Sequence, residues 1–124
     1  MIAYKCGAIN MDEGYIKYSC IWIKSAPISD KGLIGINIWR QKLFALGLIG
    51  SYEDDIGFGN ISIRVRNSSQ FIISGTQTGH IPFLKNYHYT LVTSFNIEKN
   101  SLTCQGPIKA SSESLTHAAI YAWV

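Results

Sequence analysis

Alternation of hydrophobic and polar residues predicts β-strands along much of the chain. The segments with this pattern, or with a short apolar run, are 15–23, 60–66, 71–73, 89–95 and 102–104. Polar turns at 67–69 and 98–100 separate the last four segments, so we expect two β-hairpins. In the first strand, the apolar positions that share one parity are Ile16, Tyr18, Cys20 and Trp22.

Apolar residues spaced by three and four positions predict a first helix that ends near Gly47. Its apolar stripe consists of Ile36, Trp39, Leu43 and Leu46. Ser29 or Asp30 can cap the N-terminus of this helix, and Gly47 is a favourable C-terminal stop. With that stripe toward the core, we expect Arg40, Gln41 and Lys42 on the outer side.

A second helix is predicted at the end of the chain. Ser111-Ser112-Glu113 offers hydroxyl caps followed by an acid, and Leu115, Ala118 and Trp123 follow at helical spacing. This helix has no Gly or basic last turn to end it, and its apolar face needs a cover. We therefore expect the chain to be cut inside a larger domain.

Composition and charge narrow the class of protein. A chain of 124 residues that is 47% hydrophobic and 15% charged fits one domain with a packed core. The net charge of +3 is spread along the chain, which argues against nucleic acid as a partner. We expect neither a signal peptide nor a membrane span. The three cysteines lack zinc or redox spacing, which favours a reduced, cytoplasmic setting.

Three short polar motifs offer similar chemistry. Gly59-Asn60 opens a strand, Thr78-Gly79 closes a Gly-rich loop, and Ser111-Ser112 lies at a helix N-terminus. Each offers hydroxyls, an amide or free backbone N–H groups, which are groups that bind phosphate without Lys or Arg. Together they form a candidate anion cradle. Taken singly, each motif is also ordinary turn and cap chemistry.

Glu113 stands just inside the second helix, beside the candidate cradle. A carboxylate there can act as a general acid/base or as a metal ligand. The alternative is a Glu that only complements the helix dipole. His117 follows one turn later and in principle chelates a metal with Glu113, although a histidine among apolar residues is more often a packed core residue. His80 and His88 are expected on the surface.

Taken in order, these motifs resemble the class II aldolase/adducin family, which includes L-fuculose-phosphate aldolase and L-ribulose-5-phosphate 4-epimerase. The matching segments are Trp39-Arg40 with 47–49, 57–64, 72–79, and Ser111-Ser112-Glu113 with His117. The resemblance implies an α/β fold: a three-layer α/β/α sandwich with a mixed, largely antiparallel sheet. It covers the chain from about residue 30, so that 1–124 is one partial domain and 1–29 is a subfamily extension.

The resemblance also implies a function. Asn60, Thr78, Gly79, Ser111 and Ser112 would bind the phosphate of a small sugar phosphate. Glu113 would serve as acid/base beside a Zn²⁺ ion that stabilises an enediolate during aldol cleavage or a related reaction.

The family's three zinc-binding histidines lie beyond the S-S-E helix, so this chain lacks them and is expected to be inactive alone. The alternative is a non-catalytic adducin-like scaffold. By the same resemblance we expect a homo-oligomer, a tetramer in many family members.

Overall fold

A computed structural model describes residues 2–6, 9–11, 14–16 and 18–123, with side chains described from Tyr18 to Trp123. The described chain is a mixed α/β protein. Its helices are α1 (Gly32–Ala45) and α2 (Ser114–Trp123), with one 3-10 turn at Asn86–His88. Its strands are β1 (Ile2–Cys6), β2 (Ile9–Met11), β3 (Gly14–Ile16), β4 (Ser19–Lys24), β5 (Gly50–Ser51), β6 (Gly57–Phe58), β7 (Ser62–Arg64), β8 (Phe71–Ser74), β9 (Tyr89–Asn96) and β10 (Ser101–Gly106).

The main sheet has the strand order β1-β4-β10-β9-β8-β7. Strand β4 runs parallel to β10, whereas the other neighbours are antiparallel. The two predicted hairpins are confirmed as β7–β8 and β9–β10. Two small antiparallel pairs, β2–β3 and β5–β6, lie outside the main sheet.

Strand β4 confirms the predicted alternation in its described part. Tyr18 and Cys20 are buried, and Trp22 packs against the same core cluster. The inward position predicted for Ile16 lies outside the described side chains. Strand β4 therefore contributes its apolar parity to the core of the main sheet.

Alternate residues of β8 belong to two separate core clusters. Phe71 and Ile73 pack with β4, β9 and β10 and with Ala118 of α2. Ile72 packs instead with Tyr89 and with Leu33 and Ile36 of α1. Successive side chains of a strand point to opposite faces, so the two clusters meet β8 on opposite faces.

The predicted orientation of α1 is wrong in part: Ile36 is buried and Gln41 and Lys42 are exposed as expected, but the rest of the buried face differs. Arg40, expected on the outer side, is buried at 1% exposure, whereas Trp39 and Leu46 of the predicted stripe are 60% and 73% exposed. The buried face is Leu33, Ile36 and Arg40, again at spacings of three and four. The pattern predicted the wrong buried face because the Arg40 guanidinium bonds to backbone carbonyls in the interior. A hydropathy pattern contains no information about such hydrogen-bond partners.

The predicted ends of α1 are close to those observed. The Asp30 carboxylate accepts a 2.7 Å hydrogen bond from the Gly32 N–H, which satisfies one free donor of the first turn. Ser29, the alternative cap, has no such bond among the described contacts. Gly47 follows the helix with φ of +77°, the left-handed conformation that favours glycine at a helix end.

Neither helix in the described part of the chain has the length and apolar character needed to cross a membrane.

Candidate functional site

The Gly-rich loop at 75–79 lies beside the start of α2. Gly75, directly after β8, forms an antiparallel bridge with Ala110. The next residue continues the contact, because the Thr76 N–H donates a 2.9 Å hydrogen bond to the Lys109 carbonyl. The Gly-rich loop is thus joined through its backbone to the residues that directly precede Ser111-Ser112.

Asn60 is tied to the same place through Ser74, the last residue of β8. The Ser74 hydroxyl donates to Asn60 Oδ1 at 3.0 Å and accepts from the Ile61 N–H at 3.1 Å. Since Ser74 directly precedes Gly75, the third motif is one residue away from the bridge to Ala110. The structure therefore brings all three predicted motifs to one end of β8.

Thr78 and Gly79 have different roles in this loop. The buried Thr78 hydroxyl donates to the Gly75 carbonyl at 2.8 Å, so its proton holds the loop closed. A Cβ on Gly79 would clash with the Gly50 carbonyl oxygen, so only glycine fits between this loop and the β5–β6 pair. The backbone of the loop is thereby fixed against two other segments.

The buried side chain of Arg40 bonds to the backbone of this loop. The sequence pattern did not predict this role for Arg40. Its guanidinium donates to the carbonyls of Thr78 at 2.9 Å and Pro82 at 3.3 Å, and also to that of Ile81. Burial lowers the pKa of Arg40, and an interaction with Tyr89 acts in the opposite direction. The neutral cradle expected from the motifs therefore has a buried cationic side chain bonded to its Thr78 residue.

Tyr89 is a second buried polar group near Arg40. Its hydroxyl is bonded to Asn37 of α1. Burial raises the pKa of Tyr89 to about 12, although Arg40 opposes this effect. Tyr89 therefore stays neutral over the physiological pH range and links β9 to α1.

Helix α2 begins at Ser114, slightly later than predicted. Glu113 is exposed and immediately precedes the helix rather than lying inside its first turn. The Ser111 carbonyl accepts the Ser114 N–H at 3.1 Å. The hydroxyl oxygens of Ser111 and Ser114 are buried and have no hydrogen-bond partner. Two unpaired hydroxyls thus lie where the free N–H groups of the helix begin.

His117 takes part in a hydrogen-bond network that joins β7 to α2. Its Nδ1 lies 2.6 Å from the Ser62 hydroxyl, which also lies 2.8 Å from the Tyr121 hydroxyl. Arg64 donates to the Tyr121 carbonyl at 3.0 Å and lies over the Tyr121 ring. Alternation within the predicted strand 60–66 sets Ser62 and Arg64 on the same strand face, but no sequence signal identified α2 as their partner.

The same network bears on the Glu113–His117 chelate considered above. Burial lowers the pKa of His117, while Glu113 acts to raise it. His117 Nδ1 is engaged by Ser62 rather than by a metal-binding partner. Among the residues for which the structure gives a position, no group of three or more His, Cys, Asp or Glu side chains is arranged to hold a metal ion.

Of the remaining histidines, His80 directly follows the Thr78-Gly79 motif, and His88 lies in the 3-10 turn before β9. His80 is exposed, as predicted, whereas His88 is half-buried and its Nδ1 accepts the Lys85 N–H at 2.8 Å. A shallow depression occurs elsewhere, at the β4, β9 and β10 strands. It is lined by hydroxyl and apolar side chains that include Ser19, Ile21 and Ser94. None of the predicted site residues contributes to that depression.

No protein-family model, no curated protein and no solved structure matches this chain.

Proposed function

We propose that this chain carries the phosphate-binding half of a class II aldolase/adducin-type domain. The observation that supports this proposal is the meeting of Asn60, the 75–79 loop and Ser111-Ser112 at one end of β8. These motifs are far apart in the sequence, and the family resemblance requires them to act together. In this proposal, the two core clusters with their helices form the outer parts of a three-layer α/β/α sandwich.

The phosphate of a small sugar phosphate is the proposed ligand of the cradle. The N-terminus of α2 favours an anion through its free N–H groups and its dipole. The unpaired hydroxyls of Ser111 and Ser114 are donors in need of acceptors, which phosphate oxygens supply. Arg40, bonded to the Thr78 carbonyl, adds a positive charge behind the loop. The Thr78 hydroxyl already donates its proton to a carbonyl within the loop. We therefore expect the side chains of Asn60 and Ser112 to contact the ligand.

The parent reaction that we propose is aldol cleavage, or a related enediolate reaction, with Glu113 as acid/base. Its exposure and its place beside the helix start leave the carboxylate open to a substrate held in the cradle. The Zn²⁺ that the resemblance implies would stabilise the enediolate charge. The described residues do not supply a full ligand set for it, because His88 and His117 are hydrogen-bonded within the chain.

Phosphate binding is the direct test. Isothermal titration of the chain with a pentose phosphate, with the unphosphorylated pentose and with inorganic phosphate should show binding only for the two phosphorylated probes. Ser112→Ala and Asn60→Ala should each weaken binding by about 1–3 kcal/mol, the cost of losing a hydrogen bond to a charged group. Because Asn60 also bonds Ser74, circular dichroism must show that this variant remains folded.

Thr116→Ala is the matched control, because Thr116 is exposed on the same helix. Its affinity for phosphate should equal that of the unsubstituted chain. Equal binding of the phosphorylated and unphosphorylated sugars, or unchanged affinity in both Ser112→Ala and Asn60→Ala, would contradict the proposed cradle.

A non-catalytic, adducin-like scaffold is the second candidate. In this candidate the fold is kept without metal chemistry, and His117 serves the packing of α2 on β7 through its contact with Ser62. The two candidates differ in what a longer coding sequence should contain. An H-x-H pair and a third histidine after residue 124, with stoichiometric zinc in the purified longer protein, would support the enzyme. Their absence would support the scaffold. In either case we propose a cytoplasmic homo-oligomer.

A further inference from the structure

The outward face of α1 combines apolar side chains with basic ones. Ile34 and Ile38 are 73% and 53% exposed, and Lys31 and Lys42 are exposed at the two ends of the same stripe. These positions are three or four residues apart, so they share one side of the helix. The Lys42 Nζ lies 4.7 Å from the centroid of the Trp39 ring, which holds this charge at the edge of the stripe. We call residues 31, 34, 38 and 42 the α1 stripe.

The turn between β5 and β6 combines apolar side chains with acidic ones. Glu53, Asp54 and Asp55 are exposed in this turn, and so are Tyr52 and Ile56 at its two ends. The Tyr52 N–H donates to the Ile56 carbonyl at 2.9 Å, and the Ile56 N–H donates to Asp54 Oδ1 at 3.2 Å. These bonds close the turn on itself. We call residues 52–56 the acidic turn.

The two surfaces are complementary in charge, and both expose apolar side chains. Two α1 stripes placed face to face would set lysine against lysine, and two acidic turns would set acid against acid, which is unfavourable across a contact. An anionic lipid surface would suit the lysines, but it would leave the exposed acids and apolar groups of the acidic turn without a partner. A contact that satisfies both surfaces sets the stripe of one copy against the turn of another.

We propose that the α1 stripe of one copy docks on the acidic turn of a second copy of this chain. The inference rests on the homo-oligomer proposed above and assigns its contact. The contact removes the exposed apolar side chains of both surfaces from water, and the opposite charges orient the two copies. One surface is shaped by a helix and the other by a closed turn, so docking requires little further ordering.

Sedimentation velocity over a series of protein concentrations measures the association. The parent chain should associate reversibly. The double variant Lys31→Glu/Lys42→Glu should sediment as a monomer, because its stripe then repels the acidic turn. Glu53→Lys/Asp54→Lys should also be monomeric. An equimolar mixture of the two double variants should associate again, since each reversed surface then meets the reversed surface of the other variant.

Ile38→Ser tests the apolar part of the contact and should weaken association about tenfold without a change in charge. The matched control is Lys99→Glu, which reverses an exposed charge in the turn between β9 and β10. Its association should equal that of the parent chain. Circular dichroism establishes that each variant is folded, and the Ile38→Ser result tests the contact even if one of the charge-reversed variants fails to fold.

Three results would overturn the proposed contact. Association that persists in both charge-reversed variants would overturn the contact but leave the homo-oligomer standing, whereas a monomeric parent chain would overturn both. Co-sedimentation of the parent with vesicles of phosphatidylserine and phosphatidylcholine, lost in Lys31→Glu/Lys42→Glu, would assign the stripe to a lipid surface instead. Phosphate binding by the cradle is measured separately and depends on none of these results.

Discussion

Arg40 shows how one buried side chain can fix a loop that follows much later in the sequence. Its guanidinium offers several donors in a rigid planar arrangement, and it bonds the carbonyls of Thr78, Ile81 and Pro82. A lysine has one compact ammonium and cannot reproduce this arrangement. The geometry of the candidate cradle therefore depends on a residue outside the motifs that suggested it.

We predict that Arg40→Met lowers the free energy of unfolding by about 3 kcal/mol, because it keeps much of the buried volume but leaves carbonyl acceptors without donors. Arg40→Lys should restore only part of that loss. Chemical denaturation measures both values. Gln41→Ala, on the exposed side of α1, is the control and should change stability by less than about 0.5 kcal/mol. An Arg40→Met variant as stable as the parent would show that these bonds do not hold the loop.

The buried side chain of His117 makes the stability of the folded protein depend on pH. Its pKa is lowered in the folded state by burial, from an ordinary value of about 6.5. Between the folded and the ordinary pKa, the unfolded chain carries a proton that the folded chain lacks. Stability should therefore be greatest above about pH 6.5 and should fall as the pH drops below it. Urea denaturation across this range measures the slope.

His117→Gln should make that slope shallower. His88→Gln is the comparison, because the pKa of His88 is also lowered by burial and by nearby cations, but this residue lies outside the β7–α2 network. The part of the slope that belongs to His117 should remain in His88→Gln. Stability that stays level or rises on acidification of the parent chain would contradict the inferred direction.

At the scale of elements, α1 shows what a hydropathy pattern can and cannot determine. The spacing predicted the helix and its ends closely, because local contacts and caps decide them. The buried face was wrong by about one position, because polar partners from the 78–82 loop lie far away in the sequence. Hydrophobic periodicity contains no information about a backbone carbonyl that belongs to a distant segment of the chain.

The orientation of α1 leads to a direct comparison of two variants. Ile36→Ala should lower the free energy of unfolding by about 2–4 kcal/mol, since Ile36 is buried against β8 and β9. Trp39→Ala should cost less than about 1 kcal/mol despite removing a larger side chain, since Trp39 is exposed. Thermal denaturation of both variants measures the difference. A larger cost at Trp39 would restore the orientation expected from the sequence.

Across the whole molecule, the sequence predicted pairings between neighbouring segments and missed those between distant ones. The β7–β8 and β9–β10 hairpins follow from alternation and turn residues within a few positions of each other. The parallel pairing of β4 with β10, and the network from Ser62 to His117, join residues that share no local pattern. The residues of the candidate cradle could be named from the sequence, but the Ser74 and Ala110 contacts that bring them together could not.

The β4–β10 pairing also sets an order of events during synthesis. Strand β4 leaves the ribosome well before its neighbour β10 has been made, since Ser19 pairs with Ser101. A growing chain adds roughly 5–20 residues per second. The edge of β4 that pairs with β10 therefore stays unpaired for several seconds. During that interval its apolar side chains are exposed to other nascent chains and to chaperones. The protein's vulnerability to aggregation is therefore concentrated in the time before residue 106 emerges.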